Sequence, residues 1–219
     1  MTSSKQLKNL ELGIDSSLSY CSLTLFKNKK ILWDRFQKND FGHEKSLSLM
    51  LQKMLLETKI TPKNISFLHI NNGPARFTAI RNCHALMKGF FFGHTVKIFS
   101  YKIFEHYFLG INQSFSKNIL CIIDTNRRDL AIQKISPKGK LIGKTKTYLI
   151  DDQLIELLKD SYALMGNGIE KLKKIKEYSF IKQKIIGPIE LKSNFFVKNT
   201  YLKKPQLKFP KIVYPYSPV

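Results

Sequence analysis

An apolar run, Ile65-Ser66-Phe67-Leu68-His69-Ile70, stops at Asn71-Asn72-Gly73-Pro74, and Ala75-Arg76-Phe77-Thr78-Ala79-Ile80-Arg81 then opens a helical pattern that lasts through Phe91. As backbone, this is a strand, a tight turn and a helix start. Gly73 permits torsion angles that other residues avoid, Pro74 fixes φ for a turn or a first helical residue, and the small Ala75 and Ala79 allow close backbone approach. The junction points to an α/β architecture. Such a junction is where α/β proteins place ligand sites, and it also closes many ordinary βα units, which is the commoner case.

The flanking sequence extends the pattern in both directions. Upstream, strand-like runs cover Leu10 to Asp15, Tyr20 to Phe26 and Lys30 to Gln37, and in the second Cys21, Leu23 and Leu25 alternate with Ser22 and Thr24 as in a half-buried strand. From His43 to Thr58, Leu47, Met50, Leu51, Met54 and Leu55 fall at helical spacing, and Leu49 and Leu56 widen the stripe. Downstream, a short strand at Val96 to Phe99 meets a helix from Tyr101 to about Leu109. The predicted order is β-β-β-α-β-α-β-α, that of a ribonuclease H-like half of an actin or Hsp70-type α/β fold. A second half begins near Asn118, because Ile119 to Ile123 ends at Asp124-Thr125-Asn126 as Leu10 to Ile14 ends at Asp15-Ser16-Ser17, and another hairpin follows through Ile135. Thinner signals complete it: a strand near Lys146 to Ile150, a helix from Asp151 to Lys159, a strand from Tyr162 to Met165, Gly166-Asn167-Gly168 and a helix to Lys176. After Asn199, four prolines predict an extended tail that lies on the surface or moves freely. The expected division is an N-terminal subdomain over 8–110, a smaller degenerate one over 111–198 and the tail over 199–219.

With 219 residues and 43% hydrophobic content, the chain can bury a substantial core. It has no apolar stretch of signal or membrane-span length, so a cytoplasmic location away from membranes is expected. Cys21, Cys83 and Cys121 are odd in number and widely spaced, which argues against disulfides and a cysteine zinc site. The net charge of +21 favours an acidic partner, RNA among them. The cations are nearly all lysine, however, and arginine is the residue suited to bidentate phosphate contacts. The densest group, Lys171, Lys173, Lys174 and Lys176, reads as a solvated helix face.

Leu12-Gly13-Ile14-Asp15-Ser16-Ser17, His43, the run from Asn72 to Arg81 and Ile123-Asp124-Thr125-Asn126-Arg127-Arg128-Asp129 resemble, in order and spacing, the TsaB (YeaZ) family. The specific core of that resemblance is Gly-Pro-x-x-Phe-Thr-x-x-Arg, carried by Gly73, Pro74, Phe77, Thr78 and Arg81. Tyr201-Leu202-Lys203-Lys204-Pro205 is similar to a Tyr-Leu-Arg-Pro element near the family's C-terminus. This chain departs from the family at Ala75 and Ala79, usually glycine, and at Arg76, usually serine. A long cation beside a helix N-terminus changes any anion site there.

The resemblance implies a non-catalytic scaffold that activates TsaD, the paralogue that transfers a threonylcarbamoyl group to the adenosine beside the anticodon of tRNA. TsaE would be a further partner and tRNA an indirect one. Whether the chain alone forms a homodimer stays open, and ATP or ADP is expected only in the complex. TsaD carries a His-x-x-x-His metal pair, whose i, i+4 spacing puts two imidazoles on one helix face. Here the corresponding segment holds His106 alone, so neither a metal nor a catalytic residue is assigned.

The resemblance also assigns the two long N-terminal helices to a bundle with the partner, with Leu47, Met50, Met54, His84, Met87 and Phe91 among the partner-facing residues. A deeply buried helix accounts for the same pattern. Asp15, Ser16, Asp124, Gly166 and Gly168 form a vestigial nucleotide site at most, since Asp and Ser at a strand end also make an ordinary turn. Two further readings stay open: a degenerate nucleotide-binding ATPase or kinase relative, and a lysine-rich RNA-binding module.

Overall fold

A computed structural model of the chain describes residues 9–38, 43–159, 163–188, 190–198 and 203–214, with the side chains of His43 and Glu44 outside that description. Tyr162, Tyr201 and Leu202, named above, also lie outside the described residues. Strands β1 (Leu10–Asp15), β2 (Tyr20–Lys27) and β3 (Lys30–Lys38) form an antiparallel meander. Strands β4 (Ile65–Asn71) and β5 (Lys97–Tyr101) add in parallel on the other side of β1, giving the order β3-β2-β1-β4-β5. A second sheet, β6 (Ile119–Ile123), β7 (Leu130–Ile135), β8 (Leu141–Tyr148) and β9 (Ala163–Met165), has the order β8-β7-β6-β9, again a meander with a parallel strand beside its first member. One motif is laid down twice, the second time with four strands among the described residues. The two sheets, each a meander flanked by a parallel strand, have the duplicated α/β arrangement expected from the sequence.

Alternation along the strands decides what lies on each face of the first sheet. Leu10, Leu12 and Ile14 of β1, Leu23 and Leu25 of β2, Leu68 and Ile70 of β4 and Ile98 of β5 point one way. They meet α1 (His43–Thr58) and α2 (Phe77–Phe90) through Leu47, Met50, Leu51, Met54, Cys83 and Met87, with Phe91 just beyond. Burying one such large aliphatic side chain contributes about 1.5–3 kcal/mol. The opposite face carries Glu11, Gly13 and Asp15, Ser22 and Thr24, and His69 and Asn71, all buried or in close contact with a covering segment. That cover is α3 (Ile103–Leu109) and a 3₁₀ segment, Ser193–Lys198.

A Cβ on Gly13 would lie 2.9 Å from both the Phe196 ring and the Ser193 carbonyl oxygen, so glycine is what lets the segment approach. Hydroxyls then pin it. Ser193 Oγ lies 2.7 Å from Ser22 Oγ and from Thr24 Oγ1, the Ser193 amide donates to Ser22 Oγ, and Asn194 donates to Asp34. On the far side of α3 a second core joins Ile103, Phe104 and Tyr107 to Ile119, Cys121, Ile123, Ala131 and Met165 of the second sheet. The outer face of that sheet is covered by α4 (Asp152–Lys159), α5 (Ile169–Leu172) and α6 (Tyr178–Lys182) through Leu154, Leu158, Ile169, Leu172 and Ile181.

The structure moves several expected boundaries. β8 starts at Leu141, earlier than expected, and Gly143, Lys144 and Lys146 along it are exposed. An edge strand with little buried surface leaves no apolar alternation to read. The helix expected to reach Lys176 ends at Leu172, and α6 follows as a separate turn of helix. In the first half, Leu49 and Leu56 do not widen the buried stripe of α1, being 55% and 71% exposed.

Candidate functional site

Three places hold the residues singled out by sequence: the end of β1, the cleft between the two halves, and the outer surface of α1 and α2. At the end of β1, Asp15 is sealed off from solvent. Its Oδ1 accepts from the Ser17 amide at 2.6 Å and from the Ser17 hydroxyl, and its Oδ2 accepts from Asn71 Nδ2 at 3.1 Å and from His106 Nδ1 at 2.8 Å. The other ring nitrogen of His106 donates to the Lys192 carbonyl at 2.9 Å. Both nitrogens of His106 thus face oxygen atoms, and the ring is fixed between Asp15 and the Lys192 carbonyl. Burial raises the Asp15 pKa, but the His106 bond and charge and the Ser17 bonds outweigh it, so the carboxyl titrates below its ordinary 3.8. The Phe196 ring stacks on His106 at 3.8 Å between centroids and closes the site.

Every acceptor direction of Asp15 is used within the protein, and the space around it is too tight for a water molecule. Ser16 is equally buried and donates to the Ala79 carbonyl. This is an Asp-centred turn welded to α3. It has no open face toward a phosphate.

Asp124 lies 19% exposed at the second half's corresponding strand end, beside a cleft of about 930 Å³ whose lining includes Tyr20, Lys38, Arg76, Asn167, Glu190 and Lys192. Its carboxylate is held by Lys171 at 2.8 Å and by the Asn126 amide at 2.7 Å, while Asn167 and Asp124 exchange two bonds through amide and carbonyl. Gly166 and Gly168 do not face this space. A Cβ on Gly166, whose φ is +107°, would strike the Ile122 carbonyl oxygen at 2.2 Å, and one on Gly168 would strike the Ile122 side chain at 2.7 Å. The two glycines serve the packing of this loop on β6. Of the five residues grouped by sequence as a nucleotide site, only Asp124 reaches the cleft.

The turn at Gly73 is likewise occupied by the chain itself. Gly73 has φ +108°, and a Cβ there would lie 2.3 Å from the Val213 carbonyl oxygen. The Val213 amide donates to the Asn72 carbonyl, and the Ile103 amide to that of Gly73. Pro74 is buried, whereas Phe77, Thr78 and Arg81 are exposed on the outer side of α2, with the Arg81 guanidinium 4.8 Å above the Phe77 ring.

The six side chains expected to face a partner require correction. Leu47, Met54 and Met87 have no exposed surface, and Met50, His84 and Phe91 are at most 8% exposed. All but His84 belong to the core of the first sheet, and His84 donates from Nε2 to the Asn71 carbonyl. Two apolar lines on one helix are needed here because sheet, neighbouring helix and tail all press on it. The exposed apolar residues of these helices and of the turn after α2 are instead Leu49, Leu56, Phe77 and Phe92.

Other titratable groups are also committed. Burial pushes the thiols of Cys83 and Cys121 up, away from the thiolate form a nucleophile needs. Burial likewise lowers the pKa of His69, outweighing Glu11 at 2.9 Å, so a neutral ring donates to Glu11 and accepts from Tyr101. Among the described residues no three His, Cys, Asp or Glu side chains converge as metal ligands would, and no helix is long and apolar enough to cross a membrane. Asn71 and Ser193 carry much of the buried polar layer, and sequence reading passed over both. Their only trace is a polar residue at the inward alternate position of an otherwise apolar strand, or none at all.

No family model matches the chain. A curated relative, the tRNA threonylcarbamoyladenosine biosynthesis protein TsaB of Buchnera aphidicola subsp. Schizaphis graminum (strain Sg), is 23% identical over 190 residues, covering 83% of this chain and 90% of its own. The protein of the same name from Buchnera aphidicola subsp. Acyrthosiphon pisum (strain APS) is 32% identical over 77 residues, 34% of each chain. Among solved structures, YeaZ from Pseudomonas aeruginosa superposes with a TM-score of 0.65 at 14% identity, covering 86% of this chain and 89% of that one. A second crystal structure, of an uncharacterized protein with similarity to peptidase YEAZ from Pseudomonas aeruginosa, gives 0.66 at 13% identity over 86% and 88%. Both likenesses concern the fold.

Proposed function

We propose that the chain is a TsaB (YeaZ) family protein with a role in threonylcarbamoyladenosine formation on tRNA, supported by the 23% identical relative of that name, and that it is a non-catalytic subunit that holds and activates TsaD. The observation that carries the reading is the closed state of the Asp15 site. A carboxylate with four donors and a histidine with both nitrogens engaged have no free valence for substrate, metal or phosphate. These groups tie β1, β4 and α3 together, with one bond on to the Lys192 carbonyl, and in this reading leave the chemistry to a partner.

In this reading TsaD docks on the outer surface of α1 and α2, where Leu49, Leu56 and Phe92 are exposed. Such apolar surface on a soluble chain is characteristic of an interaction face. TsaE joins the assembly, tRNA is reached through the complex, any ATP or ADP binds only there, and the protein works in the cytoplasm. The test is reconstitution: tRNA threonylcarbamoylation assayed with TsaD and TsaE, with and without this chain. We expect product only when chain and TsaD are both present. Threonylcarbamoylation by this chain without TsaD would overturn the scaffold role.

A further inference from the structure

We infer that the groove between α2 and the C-terminal segment docks a single-stranded stretch of RNA, an inference that rests on the role in tRNA modification proposed above. The groove encloses about 660 Å³ and is lined by Phe77, Arg81, Lys88, Phe209, Lys211 and Tyr214 among others. That volume falls within the range of about 300–1,000 Å³ typical of ligand pockets. Its lining has three cations and not one carboxylate.

Phe209 packs against the core of the first sheet, but the other two aromatic residues are placed unlike core residues. Phe77 is 54% exposed and Tyr214 37% exposed, with ring centroids 5.4 Å apart. The Arg81 guanidinium lies 4.8 Å above Phe77, and Lys88 Nζ lies 5.8 Å above Phe209. Open rings beside cations on one groove wall match what a single strand needs: a π-face for each base and a positive charge for each phosphate. An acidic polypeptide would use the cations and leave the two open rings without a role. The wall is also fixed in advance, because the bond from the Val213 amide to Asn72 and the paired bonds between Gln206 and Ile98 hold the tail against the sheet. The site lies apart from the cleft between the halves and shares no lining residue with it.

The experiment measures binding of an unmodified tRNA transcript to the full-length chain by fluorescence anisotropy across a salt series. Phe77→Ala with Tyr214→Ala should weaken binding about tenfold or more, the scale of lost base stacking. Arg81→Gln, Lys88→Gln and Lys211→Gln together should flatten the salt dependence by about two counterions, three phosphate contacts at roughly 0.7 each. A matched control, Lys140→Gln, Lys144→Gln and Lys146→Gln, removes the same charge from the edge of the second sheet and should change both readouts less. All these positions are exposed, and circular dichroism verifies the fold of each variant. Equal losses in groove and control variants would mean diffuse attraction and overturn the site. Groove variants that keep RNA affinity but lose TsaD would make this a protein interface and equally overturn it. A wild-type chain that binds tRNA in the groove yet supports no threonylcarbamoylation would defeat the proposed function instead.

Discussion

Removing the Asp15 carboxylate leaves His106 Nδ1, the Ser17 amide and Asn71 Nδ2 buried without the acceptor they share. Asp15→Ala should therefore lower the unfolding free energy by about 3–5 kcal/mol, the usual effect of breaking a buried pair, as read from urea denaturation. A loss under about 1 kcal/mol would mean that this buried pair does little to hold the fold and would overturn the expectation. The pH dependence follows from the lowered pKa of Asp15: its stabilisation is complete above the unfolded value of 3.8 and is lost as pH falls through the lower folded value. From sequence, Asp15 reads as a turn residue at a strand end, and its bond to the Ser17 amide makes it one. Its bond to His106 spans 91 positions, and no local period encodes a contact of that range.

The two long helices show what periodicity can and cannot settle. Apolar spacing places α1 at His43–Thr58, and α2 begins where Arg76 ends the turn, because both signals are local. Which apolar residues face inward is not local. Leu49 and Met50 are adjacent and both apolar, yet one is 55% exposed and the other 8%. The distinction depends on where the sheet lies, and that is fixed by strands distant in sequence. Leu49→Asp with Leu56→Asp should abolish co-purification with TsaD while changing stability by no more than about 0.5 kcal/mol per site, as surface substitutions do. Met54→Asp should do the opposite, unfolding the chain by placing a charge in the core. Retained binding by the Leu49 and Leu56 variant, measured by pull-down, would move the interface elsewhere.

Across the whole molecule, the strand order of both halves is legible because alternation and turns are written into consecutive residues. The polar layer between the first sheet and its cover is not, since Glu11, His69, Ser22 and Ser193 come from separated segments. Two buried histidines, His69 in that layer and His84 on α2, shape the response to acid. Burial lowers the pKa of His69, and also of His84 despite its bond to Asn71. A histidine with a lowered folded pKa stabilises the fold fully above the unfolded value of 6.5 and loses that contribution as pH falls toward the folded one. Stability should thus decline from about pH 6.5 downward, by up to about 1.4 kcal/mol per pH unit for each ring. Chemical denaturation at about pH 7.5 and 5.5 checks this, and equal values at the two pH settings would refute it.

Gly13 lies near the start of the chain, and the Phe196 ring that covers it near the end. Helices α1 and α2 cover one face of the first sheet and α3 covers part of the other, but the cover over Gly13 is complete only once the segment around Phe196 has been made. A truncation that stops before that ring would therefore take from Ser22, Thr24 and Gly13 the contacts they make with Ser193 and Phe196.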